Sequence, residues 1–263
     1  MRKNYLGLWL LLACAFGIFA LLSSFDSLKI GSWEPKSSEI AQTVTGKDNA
    51  SASVRIAGRA RANIRRDTAT PVKLDTCPKT ILFIGDSMLE GLSPRFAHYA
   101  KANGHKLYTV IWYSSTSEIW GGSGKLSSYI SRLHPDYILI CLGANELFVS
   151  DIAKKRDRYV KQIVKEIGDI PFLWIGPPNW KKDTGINDLI ASNVPEGSFF
   201  LSDGMHFNRK KDGAHPTHES AALWADSIAR WMPTHSNHPI RMTRPKDNTG
   251  RPEKIFVHQP NER

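Results

Sequence analysis

The chain has 263 residues, of which 41% are hydrophobic and 23% are charged, and its formal net charge is +10. That length suffices for one good-sized α/β domain plus additional segments. The charge is spread along the chain: +2 over residues 1–25, +3 over 26–76, +2 over 77–233 and +3 over 234–263. The part with folding potential is therefore close to neutral, which argues against a nucleic-acid-binding face.

In chain order, Met1-Arg2-Lys3-Asn4 precedes an uncharged apolar run from Tyr5 to Phe25. Its length matches the ~20 residues of a bilayer-spanning helix, and Arg2 and Lys3 favour a cytoplasmic N-terminus. Residues 1–25 are thus expected to form a signal-anchor transmembrane helix, with the remainder exported. A cleaved signal peptide, or a lipoprotein signal at Leu11-Leu12-Ala13-Cys14, is the alternative. Residues 26–76 are rich in Ser, Thr, Ala, Lys and Arg and read as a flexible basic linker.

Over 77–233, strands are predicted at 80–84, 107–112, 137–142, 171–175 and 198–201. Each is a short apolar run suited to burial on both faces. Helices are predicted near 89–102, 125–133, 151–168, 184–192 and 217–231, the last with Thr217 as N-cap. This alternation predicts an α/β domain with a five-stranded parallel sheet between helical layers, and a site at the carboxyl ends of the strands. Residues 234–263, interrupted by Pro239, Pro245, Pro252 and Pro260, read as a flexible basic tail. Cys77 and Cys141 fall out of register, so no disulfide is expected between them.

Three short blocks carry chemistry. Gly85-Asp86-Ser87-Met88 follows the first strand, where a serine on a strand-to-helix turn exposes its hydroxyl and its N–H. Ser87 is the candidate nucleophile. Gly143-Ala144-Asn145-Glu146 follows the third strand, and the Asn145 amide is a candidate oxyanion donor. Asp212-Gly213-Ala214-His215 precedes the last helix. There His215 is the candidate base and Asp212 the group that orients it. Asp203 and His206 repeat the same spacing nine residues earlier and are read instead as pocket-lining.

These blocks, in this order, resemble the SGNH/GDSL hydrolase family over roughly residues 78–232. The resemblance implies a flavodoxin-like three-layer fold and a serine esterase or lipase mechanism needing no cofactor. It also implies three oxyanion donors: the Ser87 N–H, the Asn145 side chain and a loop N–H after the second strand. The family usually has glycine in that loop. Here it reads Trp112-Tyr113-Ser114-Ser115-Thr116-Ser117-Glu118, so Ser115 and Ser117 are the candidates, Ser117 first.

Asp86, Trp120, Trp180 and His206 are the candidate substrate-binding residues. No metal-ligand spacing and no phosphate-binding loop is present. The expected activity is hydrolysis of ester groups, chiefly O-acetyl groups on a cell-envelope glycan, through an acyl-serine. The enzyme would be held in the inner membrane with its catalytic domain on the periplasmic side. Acyl transfer to a polysaccharide and non-catalytic glycan binding are the alternatives.

Overall fold

The computed structural model describes residues 72–260 and 262. The predicted anchor and nearly all of the predicted linker lie outside the described residues. Among the described residues no helix is long and apolar enough to cross a membrane.

The elements run β1 (Thr80–Gly85), α1 (Leu89–Asn103), β2 (Lys106–Trp112), α2 (Ser117–Ser123), α3 (Lys125–Leu133), β3 (Tyr137–Cys141), α4 (Ile152–Ile167), β4 (Phe172–Ile175), α5 (Ile186–Asn193), β5 (Phe199–Phe200), α6 (His218–His235) and β6 (Lys254–His258). The strands form one sheet in the order β5-β4-β3-β1-β2-β6. Every pairing is parallel. The first five strands thus follow the flavodoxin-like order, and chain direction across the sheet reverses at β1.

Strand alternation builds two cores. Ile81 and Phe83 point to one face, where Leu92 and Phe96 of α1 and Trp224 and Ile228 of α6 cover them. Leu82 and Ile84 point to the other face, toward Leu126 of α3, Val160 and Ile163 of α4, and Ile190 of α5. β1 is apolar on both faces because it is buried on both. On α4, charged residues fill the solvent side while Ile152, Val160, Ile163 and Ile167 are buried.

Two elements differ from expectation. The sheet has six strands rather than five, because Lys254–His258 pairs outside β2, with Tyr108 opposite Lys254 and Trp112 opposite His258. The Pro-rich segment read as a flexible tail therefore completes the sheet and packs on α1, where Gly250 lies against the Ala97 carbonyl too closely for a Cβ. The prolines fall between elements and leave the five-residue strand free of them. A short helix, α2, also follows β2, capped by the Thr116 hydroxyl, which accepts from the Ile119 N–H at 3.3 Å.

Candidate active site

The strand order puts the carboxyl ends of β1 and β3 side by side, so the Gly85 and Gly143 turns emerge together. Both glycines are required sterically. A Cβ on Gly85 would collide with the Cys141 carbonyl oxygen and the Leu89 side chain. Gly143 has φ +119, outside the range of ordinary L-residues. Beyond Gly85, the Asp86 carboxylate accepts the Met88 N–H at 2.9 Å and fixes the turn into α1. The Ser87 N–H has no hydrogen-bond partner among the described residues.

The third block is carried on a tight loop between β5 and α6. The Lys210 N–H donates to the His215 carbonyl and the Thr217 N–H to the Asn208 carbonyl, both at 2.8 Å, closing the loop base. Asp212 Oδ1 accepts the backbone N–H groups of Ala214 (2.8 Å) and His215 (2.9 Å), and Oδ2 lies 2.9 Å from His215 Nδ1. The other imidazole nitrogen, Nε2, lies 2.8 Å from Ser87 Oγ. Ser87, His215 and Asp212 are thus brought into one hydrogen-bonded line from sites far apart in sequence. The backbone N–H groups of His215 and Ala214, then the imidazole, hold the Asp212 carboxyl down at about 2. An ionised Asp212 favours the tautomer with its proton on Nδ1, leaving Nε2 to accept from the serine hydroxyl.

Asn145 is half-buried between Asp86 and the loop after β2. Nδ2 donates one proton to the Ser115 carbonyl at 2.9 Å and the other, over a longer N···O distance of 3.3 Å, to Asp86 Oδ2. The short bond fixes the amide plane, and the long one leaves a proton that a better acceptor can recruit.

The loop after β2 departs from expectation. The Ser117 N–H donates to Glu146 Oε2 and its hydroxyl to Oε1, both at 2.8 Å. The Ser115 N–H donates to the Trp112 carbonyl at 3.1 Å. Neither candidate N–H is free for an oxyanion. The Thr116 N–H has no partner among the described residues. It nevertheless points away from Asn145, because the trans peptide sets it opposite the Ser115 carbonyl that faces Asn145. Neither candidate therefore supplies the third donor, and the Ser87 N–H and the Asn145 amide are the donors the geometry assigns.

The candidate substrate-binding residues divide. Asp86 is fully buried, and both of its oxygens accept internal hydrogen bonds, so it anchors the turn and Asn145 and does not meet solvent. Burial, with a smaller push from Glu146, raises its carboxyl to about 7. Trp120 is also fully buried. It packs edge-on against Trp112 and donates to Ser115 Oγ at 3.0 Å, so it is a core residue. Trp180 is half-buried and ties its loop to the Gly143–Glu146 block by donating to the Ala144 carbonyl at 2.9 Å. His206 is exposed and makes no hydrogen bond to Asp203, whose Oδ1 instead accepts from Asn179 Nδ2.

Sequence reasoning missed Glu146 as more than a neighbour of Asn145. Its carboxylate is wholly buried, grips Ser117 twice, and is met by Arg156 Nε at 2.9 Å. Arg156 also pairs with Glu118 at 2.8 Å. A carboxylate directly after Asn145 is visible in the sequence, but nothing there marks Ser117 or Arg156 as its partners. A second missed contact spans the site: the Tyr113 hydroxyl donates to Glu90, which also lies 3.8 Å from Lys210 Nζ. Among the described residues no three His, Cys, Asp or Glu side chains converge as a metal site.

Neither a family model nor a curated protein matches the chain. Solved structures do resemble it. One is a psychrotrophic esterase from Pseudoalteromonas sp., at 20% identity and TM-score 0.42, covering 58% of this chain and 97% of that one. A lipase/acylhydrolase from Enterococcus faecalis matches at 18% identity and TM-score 0.46, covering 59% of this chain and 95% of that one. A two-domain esterase active on acetylated mannans matches at 15% identity and TM-score 0.44, covering 58% of this chain and 47% of that one. Identities this low transfer no residue role, and the reading of the site rests on its own geometry.

Proposed function

We propose that this protein is a serine esterase of the SGNH/GDSL type. The observation that carries the reading is the continuous line Ser87 Oγ–His215 Nε2–His215 Nδ1–Asp212 Oδ2, with steps of 2.8 and 2.9 Å at its two hydrogen bonds. His215 takes the Ser87 proton as Oγ attacks the ester carbonyl, and the Asp212 carboxylate stabilises the imidazolium. The oxyanion is met by the Ser87 N–H and by the Asn145 proton released from its long contact with Asp86. His215 then protonates the leaving alcohol. In the second half-reaction it activates water, which attacks the acyl-serine and returns the proton to Ser87.

The proposal extends to substrate and place: O-acetyl groups on a cell-envelope glycan, acted on outside the cytoplasm by a domain tethered through residues 1–25. The tether rests on the uncharged run from Tyr5 to Phe25 and the preceding Arg2 and Lys3. Protease accessibility in intact cells tests the placement, and acetate release from O-acetylated glycans tests the substrate. The mechanism is tested with p-nitrophenyl acetate on the parent and on Ser87→Ala. Turnover that survives the substitution refutes the nucleophile assignment.

A further inference from the structure

Beside the catalytic line lies a pocket of about 490 Å³, walled by Asn179, Trp180, Lys181, Lys182, Asp183 and Asp203. Its volume falls within the range of small-molecule sites. It sits over the carboxyl ends of β4 and β5, and contacts from its wall reach the backbone of the loops that carry Asn145 and His215. Trp180 Nε1 donates to the Ala144 carbonyl, next to Asn145. Arg209 donates to the carbonyls of Pro178 and Asn179 on one side and of Ala214, next to His215, on the other. The pocket wall is therefore braced against both catalytic loops.

Most polar valences of the wall are already used. Asp183 accepts the backbone N–H groups of Gly185, Ile186 and Asn187 and the Asn187 side-chain amide, capping α5. Asn179 donates to Asp203 Oδ1, which also accepts the Gly204 N–H, and accepts from Asn187 Nδ2. The two ammonium groups are different. Lys181 Nζ is held 4.7 Å from the Trp180 ring centre and 5.1 Å from that of Phe148. Phe148 is 55% exposed and stands three residues after Asn145, edge-on to Trp180. Two aromatic faces thus fix a lysine that would otherwise sweep solvent, at little cost to its remaining donors. Lys182 has no ion-pair partner among the described residues.

Resting on the esterase reading, we infer that this pocket is a subsite for a carboxylate-bearing sugar, placed beside the acylated residue of an anionic glycan. The pinned Lys181 and the free Lys182 would take the carboxylate through charge-assisted hydrogen bonds. Both oxygens of Asp183 stay turned to their internal donors, and Oδ1 of Asp203 to Asn179 and Gly204.

The test compares kcat/KM on an O-acetylated uronate-containing oligosaccharide and on an O-acetylated neutral one, for the full chain and for the Lys181→Gln/Lys182→Gln variant. The parent is expected to prefer the anionic substrate, and the variant to reduce that preference about tenfold. Lys181→Arg is expected to keep much of it. Parent turnover of p-nitrophenyl acetate without any preference for the uronate substrate overturns the subsite and leaves the esterase reading intact. Calorimetry of the unacetylated uronate oligosaccharide against the full chain carrying Ser87→Ala reads the pocket without chemistry. Binding there that is lost with the two lysines supports the subsite even where turnover fails, and no binding overturns it. Equal competition by sodium acetate refutes the sugar part of the assignment.

Discussion

Replacing Asn145 by alanine is the most exposing test of the oxyanion arrangement. The structure assigns the Ser87 N–H and the Asn145 amide as donors at the serine, and the N–H groups of Ser115 and Ser117 are committed elsewhere. One lost oxyanion donor typically costs about 3 kcal/mol, a fall of roughly 10²- to 10³-fold in kcat. Because neither the Ser115 nor the Ser117 N–H can share the charge, Asn145→Ala belongs at the severe end of that range. The loss should fall on kcat rather than KM, since the contact strengthens only as charge builds on the oxygen. The substitution also strips a partner from the Ser115 carbonyl and from Asp86, so a stability loss of about 1–3 kcal/mol should accompany it. Steady-state hydrolysis of p-nitrophenyl acetate, with circular dichroism to confirm folding, reads both effects. A folded Asn145→Ala that keeps kcat within about threefold of the parent, while Ser87→Ala is inactive, refutes the two-donor reasoning.

Three further outcomes follow from the site. Asp212→Asn presents an N–H₂ group to His215 Nδ1 and favours the wrong tautomer, so kcat should drop about 10⁴-fold at neutral pH with little change in melting temperature. Arg156→Leu leaves the buried Glu146 carboxylate without its cation and should destabilise the fold by about 3–5 kcal/mol in urea titration, whereas Glu146→Gln should cost less. Asp86 keeps its proton to about pH 7 in the folded chain but releases it near the ordinary 3.8 when unfolded. The folded state therefore binds the extra proton between those values, and its stability falls as pH rises from about 4 to 7, by at most about 4 kcal/mol. Asp86→Asn should flatten that slope in urea titrations across the interval, and an unchanged slope refutes the buried-proton account.

The central elements were legible because their burial is two-sided. Ile81 to Ile84 and Tyr137 to Cys141 are continuous apolar runs, and a strand packed between helical layers needs that pattern. The helices α3 and α4 were equally plain from apolar spacing. β6 was not, because it is an edge strand: Ile255 and Val257 are about half exposed, and charged residues and prolines surround it. α2 hid behind Gly121 and Gly122, poor helix formers that it tolerates because Gly121 lies against the Tyr159 backbone. At the site, the order of Ser87, Asn145, Asp212 and His215 was readable, since each follows a recognisable strand or precedes a helix. The loop N–H could not be assigned, because its fate depends on Glu146 reaching across to Ser117. Trp120 was misread for a similar reason: an indole near a strand end looks the same in sequence whether it faces solvent or, as here, Trp112.

The sixth strand gives the folding of this domain a direction in time. β2 carries the loop bearing Tyr113 and Ser115, and its outer edge is covered only when Lys254–His258 arrives. The His258 carbonyl then accepts the Tyr113 N–H at 3.0 Å, and the Gln259 carbonyl accepts from the Trp112 indole at 3.1 Å. A nascent chain that has made β1 to β5 still presents a bare parallel edge beside its future catalytic loop. Such an edge invites pairing with another chain during synthesis. The cover for the edge beside the catalytic loop thus comes last in the chain, from a segment that contributes no reacting atom.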